Sequence, residues 1–167
     1  MIAGSLGSQE INERIRRLRA ELTKIFQIIH ICGEGKLDLS LQAIVNYQQF
    51  AYLQAPLADV LACADLVLSR AGATTICELF ALKKPHILLP LSRKASRGDQ
   101  WQNANYFSKQ GLSDTVDLDQ ASDQELFDAI LQSYQKIPLT LQRFNALSSA
   151  DSVSLIMDQL RKWVEIN

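Results

Sequence analysis

Ser69-Arg70-Ala71-Gly72-Ala73-Thr74-Thr75-Ile76-Cys77-Glu78 follows the apolar run Leu66-Val67-Leu68 and leads into a pattern of helical period. A strand that breaks near a glycine and reopens as a helix leaves backbone N–H groups pointing at whatever binds there. Glu78 falls about one helical turn further on, where a carboxylate can accept hydrogen bonds from a sugar diol. The decapeptide therefore suits the phosphate and ribose of a nucleotide, although a glycine at a strand–helix turn also occurs for purely structural reasons.

Outward from this stretch, strand-length apolar runs alternate with helical patterns. Met1-Ile2-Ala3 reads as the end of a strand and Gly4-Ser5-Leu6-Gly7 as a turn. Ile11, Ile15, Leu18 and Leu22 then share one helical face. Strands are expected over 25–31, 47–50, 66–69 and 86–91, with a last short one at Thr115-Val116. Helices are expected from Pro56, over 74–82 and over 100–109, and the remainder is helical. Leu126, Phe127, Ile130, Leu131 and Tyr134 form one face there, and Val153, Ile156, Met157, Leu160 and Val164 another. Such alternation predicts an α/β, Rossmann-like, three-layer domain with a parallel sheet of about six strands. The turns at Gly4, Gly33, Gly72 and Ser92 all follow strands, so they should gather at one edge, where ligands of such sheets bind. Residues 1–167 read as a single domain. The first strand has only three residues before its turn, which leads us to expect that the chain begins inside a larger, two-domain protein.

Composition narrows the function. With 17 basic and 18 acidic residues, a formal net charge of −1 argues against a general nucleic-acid binder. No apolar run reaches bilayer-spanning length, and the start lacks the pattern of a secretory signal. Cys32, Cys63 and Cys77 are widely spaced, match no zinc pattern and read as buried free thiols of a reducing compartment. His30 and His86 lack a nucleophile or carboxylate at a recognisable spacing, so core roles are expected for both. No residue identifies itself as a general base, and neither a catalytic residue nor a metal ligand is assigned.

Two further loops carry chemistry. Gly4-Ser5-Leu6-Gly7-Ser8-Gln9 is a candidate phosphate turn, with Ser8 a plausible N-cap; a structural turn fits the same residues. Ser92-Arg93-Lys94-Ala95-Ser96-Arg97-Gly98-Asp99-Gln100 is either a solvated loop ending in a helix cap or a site whose Asp99 and Gln100 bind sugar hydroxyls.

In order and spacing, these segments resemble the donor-binding half of GT-B glycosyltransferases, and more narrowly the C-terminal domain of the MurG-type enzymes of bacterial peptidoglycan synthesis. The residues that carry the resemblance are Ala3–Asn12, Ile29–Gly35, Tyr47–Phe50, Ala64–Ala73, Glu78, Ser96–Gln100 and Asn103-Ala104. Ala3 stands where the family turn usually has a first glycine, and Asp99 where some members have a second glutamine. The resemblance implies transfer of N-acetylglucosamine from UDP-N-acetylglucosamine to a lipid-linked muramoyl-pentapeptide, with inversion, without a bound metal or other cofactor. It implies that Ser5 and Gly7 face the diphosphate and that the backbone at Tyr52 and Leu53 holds the uracil. It also implies that Arg70, Gly72, Ala73, Thr74 and Thr75 surround the diphosphate, that Glu78 holds the ribose, and that Asp99 and Gln100 hold the sugar. The acceptor domain would be supplied in cis or by a partner subunit, and the whole enzyme would work at the cytoplasmic face of the membrane. Three other readings stay open: a natural single-domain subunit of a two-chain transferase, a non-catalytic interaction module that keeps the fold, and, ranked last, a UDP-N-acetylglucosamine 2-epimerase.

Overall fold

A computed structural model describes residues 7–53, 57–93 and 98–146. The expected first strand at Met1–Ala3, the residue Ser5 and the apolar face from Val153 to Val164 lie outside these residues.

Helix α1 (Gln9–Leu22) starts because the Ser8 hydroxyl accepts from the Ile11 amide, and it buries Ile11, Ile15, Leu18 and Leu22 as its spacing dictates. Strand β1 (Ile28–Ile31) begins later than the apolar run suggests. The Phe26 amide still donates to the Leu22 carbonyl at 2.8 Å, so residues 23–26 finish the helix before the strand can start. Strand β2 (Tyr47–Phe50) pairs in parallel with β1, Ile28 opposite Tyr47. A 3₁₀ turn at Leu39–Leu41, capped by Asp38, precedes it.

After helix α2 (Leu57–Cys63) come β3 (Val67–Ser69), α3 (Ala73–Ala81) and β4 (His86–Leu88). Strand β4 stops short of Leu91 because Pro90 has no N–H to continue a ladder. Helix α4 (Asp99–Lys109), β5 (Asp114–Thr115), α5 (Asp123–Gln135) and α6 (Ile137–Ala146) complete the described chain. Strands β3, β4 and β5 form a second parallel ladder in that order, so five strands stand among the described residues.

Period-two alternation sends side chains to opposite sheet faces. Leu68, Ile87 and Leu89 join α1 and α5 in one core cluster. Val67 packs with Leu61 of α2 and Leu79 of α3, and Leu88 with Ile76 of α3 and Ala104 of α4. Helices thus cover both faces of the parallel strands. Arg14 and Arg17 pair with Asp123 at 3.0 and 2.6 Å and fasten α1 to the start of α5. The cysteine expectation holds only for Cys32, which is buried. Cys63 and Cys77 are exposed, because each falls on the outer side of a helix that needs only one apolar face.

Candidate functional site

Parallel strands end on the same side, and the loops that follow them are bonded to one another there. Gly7 has φ +62°, and a Cβ on it would lie 1.9 Å from the Cys32 carbonyl oxygen. Only glycine lets this turn lie against the end of β1. The Lys36 ammonium donates to the Gly7 carbonyl at 3.2 Å and brings a cation to the same turn.

The turn is also tied to β3. Arg70 Nη2 donates to Ser8 Oγ at 2.6 Å and to Glu10 Oε2 at 3.0 Å, while Nη1 donates to the carbonyls of Leu89 and Pro90 at 3.1 and 2.8 Å. One guanidinium therefore fixes three segments: the start of α1, the end of β3 and the loop after β4. Asn103 of α4 donates to the Ala71 carbonyl at 3.1 Å and adds a fourth. Gln100 Oε1 accepts from the Leu91 amide at 3.1 Å, and Trp101 Nε1 donates to the Leu91 carbonyl at 3.0 Å under the Arg93 guanidinium.

What this frame presents is two open helix ends. Gly72 is the N-cap of α3 and Gly98, at φ +89°, the N-cap of α4, and neither helix has a side-chain cap. Helix α1 has its serine cap, and α5 a full capping box from Ser122 and Glu125. A Cβ on Gly72 or Gly98 would meet nothing within 4 Å among the described residues. Amides of Ala73, Thr74 and Thr75 open α3, with Glu78 exposed one turn on and Asp99 exposed at the start of α4. Such ends attract anions through both the unpaired N–H groups and the helix dipole.

Behind the loops lies a buried polar relay. His30 Nε2 and Nδ1 stand 2.9 Å from Asn12 Oδ1 and 2.7 Å from the Tyr47 hydroxyl. Asn12 Nδ2 donates to the Cys32 carbonyl at 2.8 Å, so its oxygen accepts from Nε2–H, and Nδ1 accepts from Tyr47. Burial pulls the His30 pKa down to about 3 and pushes that of Tyr47 up to about 12. The relay keeps the Cys32–Gly33 turn in place under Gly7. This agrees with the core role expected for His30.

Of the expected site residues, Gly7, Arg70, Gly72, Ala73, Thr74, Thr75, Asp99 and Gln100 all lie on segments at this edge, and Glu78 follows on α3. Tyr52 and Leu53 follow β2 at the same edge; Tyr52 is exposed, and Leu53 is buried against Ile31 and Leu61. Two of the expected residues bond protein through their side chains: Arg70 with both terminal nitrogens, and Gln100, whose Oε1 accepts from the Leu91 amide. The roles of Asn12, Lys36 and Asn103 were not assigned from sequence. Asn103 lies within the matched segments, but pairing across 32 residues leaves no local pattern to read.

The glycosyltransferase family 28 C-terminal domain matches residues 1–160. A Clostridium novyi (strain NT) protein described as UDP-N-acetylglucosamine–N-acetylmuramyl-(pentapeptide) pyrophosphoryl-undecaprenol N-acetylglucosamine transferase is 42% identical over 163 residues, 98% of this chain and 46% of that protein. A Legionella pneumophila (strain Lens) protein of the same description is 46% identical over 139 residues, 82% of this chain and 37% of that one. The crystal structure of Acinetobacter baumannii MurG superposes with a TM-score of 0.77 at 20% identity, covering 96% of this chain and 48% of that one. The chain spans about half the length, or less, of the curated relatives it matches. It belongs to the glycosyltransferase family 28 C-terminal domain family, as a homologue of the MurG-type enzymes.

Proposed function

We propose that this chain is the donor-binding half of an inverting N-acetylglucosaminyltransferase that uses UDP-N-acetylglucosamine and acts on a lipid-linked muramoyl-pentapeptide in peptidoglycan synthesis. The observation that carries the reading is the pair of glycine-started, uncapped helices, α3 and α4, at the edge where four loops are bonded together. Amides of Ala73 to Thr75 hold the diphosphate, Ser5 and Gly7 border it, and Lys36 adds charge. Backbone at Tyr52 and Leu53 holds the uracil, Glu78 the ribose hydroxyls, and Asp99 with Gln100 the sugar. Arg70 acts as a positioning residue.

Direct displacement at the anomeric carbon builds negative charge on the departing UDP. Fixed N–H donors aimed at the diphosphate stabilise that charge without reorganising. The acceptor hydroxyl must lose its proton to a base outside this chain, on an acceptor domain in cis or in trans. In this reading residues 1–167 form one domain, the C-terminal half of a GT-B enzyme working at the cytoplasmic membrane face. On the same reading its parallel sheet has about six strands.

Calorimetry of the 167-residue chain with UDP and UDP-N-acetylglucosamine tests the proposal. Binding without turnover is expected, with Glu78→Ala weakening UDP about tenfold and more than Asp99→Ala does. Absence of heat at about millimolar UDP overturns it.

A further inference from the structure

The chain between β1 and β2 is tied down by side chains from two other elements. It turns back through Gly33 and Gly35, at φ +94° and +69°, and the Lys36 amide donates to the Gly33 carbonyl at 3.2 Å. From α1, half-buried Arg16 donates through Nη2 to the Lys36 carbonyl and, at 3.0 Å, to Gln49 Oε1 of β2. Gln49 Nε2 donates to the Asp38 carbonyl at 3.0 Å, and its Oε1 accepts from the Asp38 amide at 3.3 Å. Backbone on both sides of Leu37 is therefore fixed, by partners 20 and 11 residues away in sequence.

What this grip positions is a cation. With its backbone held, Lys36 extends to the glycine turn before α1, where its ammonium donates to the Gly7 carbonyl at 3.2 Å. Ser8, the next residue, is bonded to Arg70 at the end of β3, which puts the ammonium on the same frame as the opening turn of α3. An ammonium carries three N–H donors, so contact with Gly7 is compatible with a further acceptor on that turn.

A cation at this place distinguishes the two diphosphates that such a site holds in turn. In a UDP-sugar the β-phosphate is a diester. When the anomeric carbon–oxygen bond breaks, the electron pair stays on the β-phosphate oxygen, leaving a monoester with about one more negative charge at neutral pH. The acceptor oxygen bonds the anomeric carbon and yields its proton to the base outside this chain. Interactions that strengthen as this charge develops lower the barrier, whereas equal binding of both states does not.

Resting on the donor reading, we propose that Lys36 meets the β-phosphate of the departing UDP and that Arg16 is its positioning residue. The pair then favours UDP over UDP-N-acetylglucosamine.

Calorimetric dissociation constants of the 167-residue chain for these two ligands give the readout, which is their ratio. Lys36→Gln should weaken UDP about tenfold and UDP-N-acetylglucosamine no more than about threefold. Loss of fold would weaken both ligands alike and leave the ratio unmoved. Arg16→Met should shift the ratio the same way by about threefold, and Arg16→Lys by less. Gln49→Ala, which removes no charge, should shift it in the same direction. In the Lys36→Gln background, Arg16→Met should leave the ratio where it is, because two members of one device are not additive. An unchanged ratio in Lys36→Gln overturns the proposal and leaves the donor reading standing. A shift from Arg16→Met that persists in the double variant overturns the positioning role. Failure of the unsubstituted chain to bind UDP overturns the donor reading and this inference with it.

Discussion

Arg70 Nη2 stands 2.6 Å from Ser8 Oγ, across 62 residues of sequence, so the guanidinium after β3 holds the hydroxyl that caps α1. The same side chain, 12% exposed, bonds Glu10 and two carbonyls of the loop after β4. Replacing it with methionine leaves those acceptors without their charged donor. Arg70→Met should lower stability by about 3 kcal/mol, since charge-assisted bonds in a shielded site exceed an ordinary one. Arg70→Lys should recover less than half, because a single ammonium cannot reach four acceptors arranged for a fork. Urea unfolding midpoints measure both; an unchanged midpoint for Arg70→Met refutes the clamp.

Two glycines of the site should respond oppositely to the same substitution. Gly7→Ala adds a Cβ into the Cys32 carbonyl at a φ of +62°, and should cost about 3 kcal/mol or more. Gly72 has φ −71° and open space, so Gly72→Ala should change stability by no more than about 0.5 kcal/mol. If α3 receives the diphosphate, the added methyl stands in its way, and UDP binding should fall about tenfold. Thermal melts paired with calorimetry separate the two effects.

Stability should fall with mild acid. An unfolded histidine titrates near 6.5, whereas buried His30 stays neutral down to about 3. Below 6.5 the unfolded chain gains a proton that the folded chain refuses, so stability is complete above that pH and drains away as pH drops towards 3. By about pH 5 the loss from His30 alone is about 2 kcal/mol. His86, also held low by burial, acts in the same direction. Denaturation at pH 7 and pH 5 measures the slope, and His30→Gln should flatten it; an equal slope in that variant rules His30 out as its source.

Thiol reactivity should sort the cysteines. Cys63 and Cys77 are exposed and should react promptly with a thiol reagent, while buried Cys32, its pKa raised by burial, should react only on unfolding. Three fast thiols, or one, would contradict the structure.

Much of this was legible in the chain because helix and strand periods leave local traces. Residues 47–50 read as a strand and form β2, the Ile11–Leu22 spacing gives the buried face of α1, and Ser8 caps it as its residue type suggests. The turns at Gly7, Gly33 and Gly72 were visible because each follows an apolar run. Legibility ended where partners are distant in sequence. The family resemblance makes Arg70 a ligand contact, and only the folded chain brings Ser8, Glu10 and Leu89 to its fork. Cys63 and Cys77 sit beside apolar residues in sequence, yet a helix turns neighbours by about 100°, which carried both thiols outward. Pro90 ended β4 within an apolar stretch that composition alone reads as continuous.

The missing caps of α3 and α4 have a kinetic side. Helix ends without a cap fray first, so the first-turn amides of Ala73 to Thr75 and of Asp99 to Trp101 should exchange with solvent deuterium well before those of α1 or α5. An anion seated there acts as the absent cap and slows exchange at both ends together. The fold thus leaves its least protected amides where a ligand can complete them, and their exchange rates report occupancy without any assay of transfer.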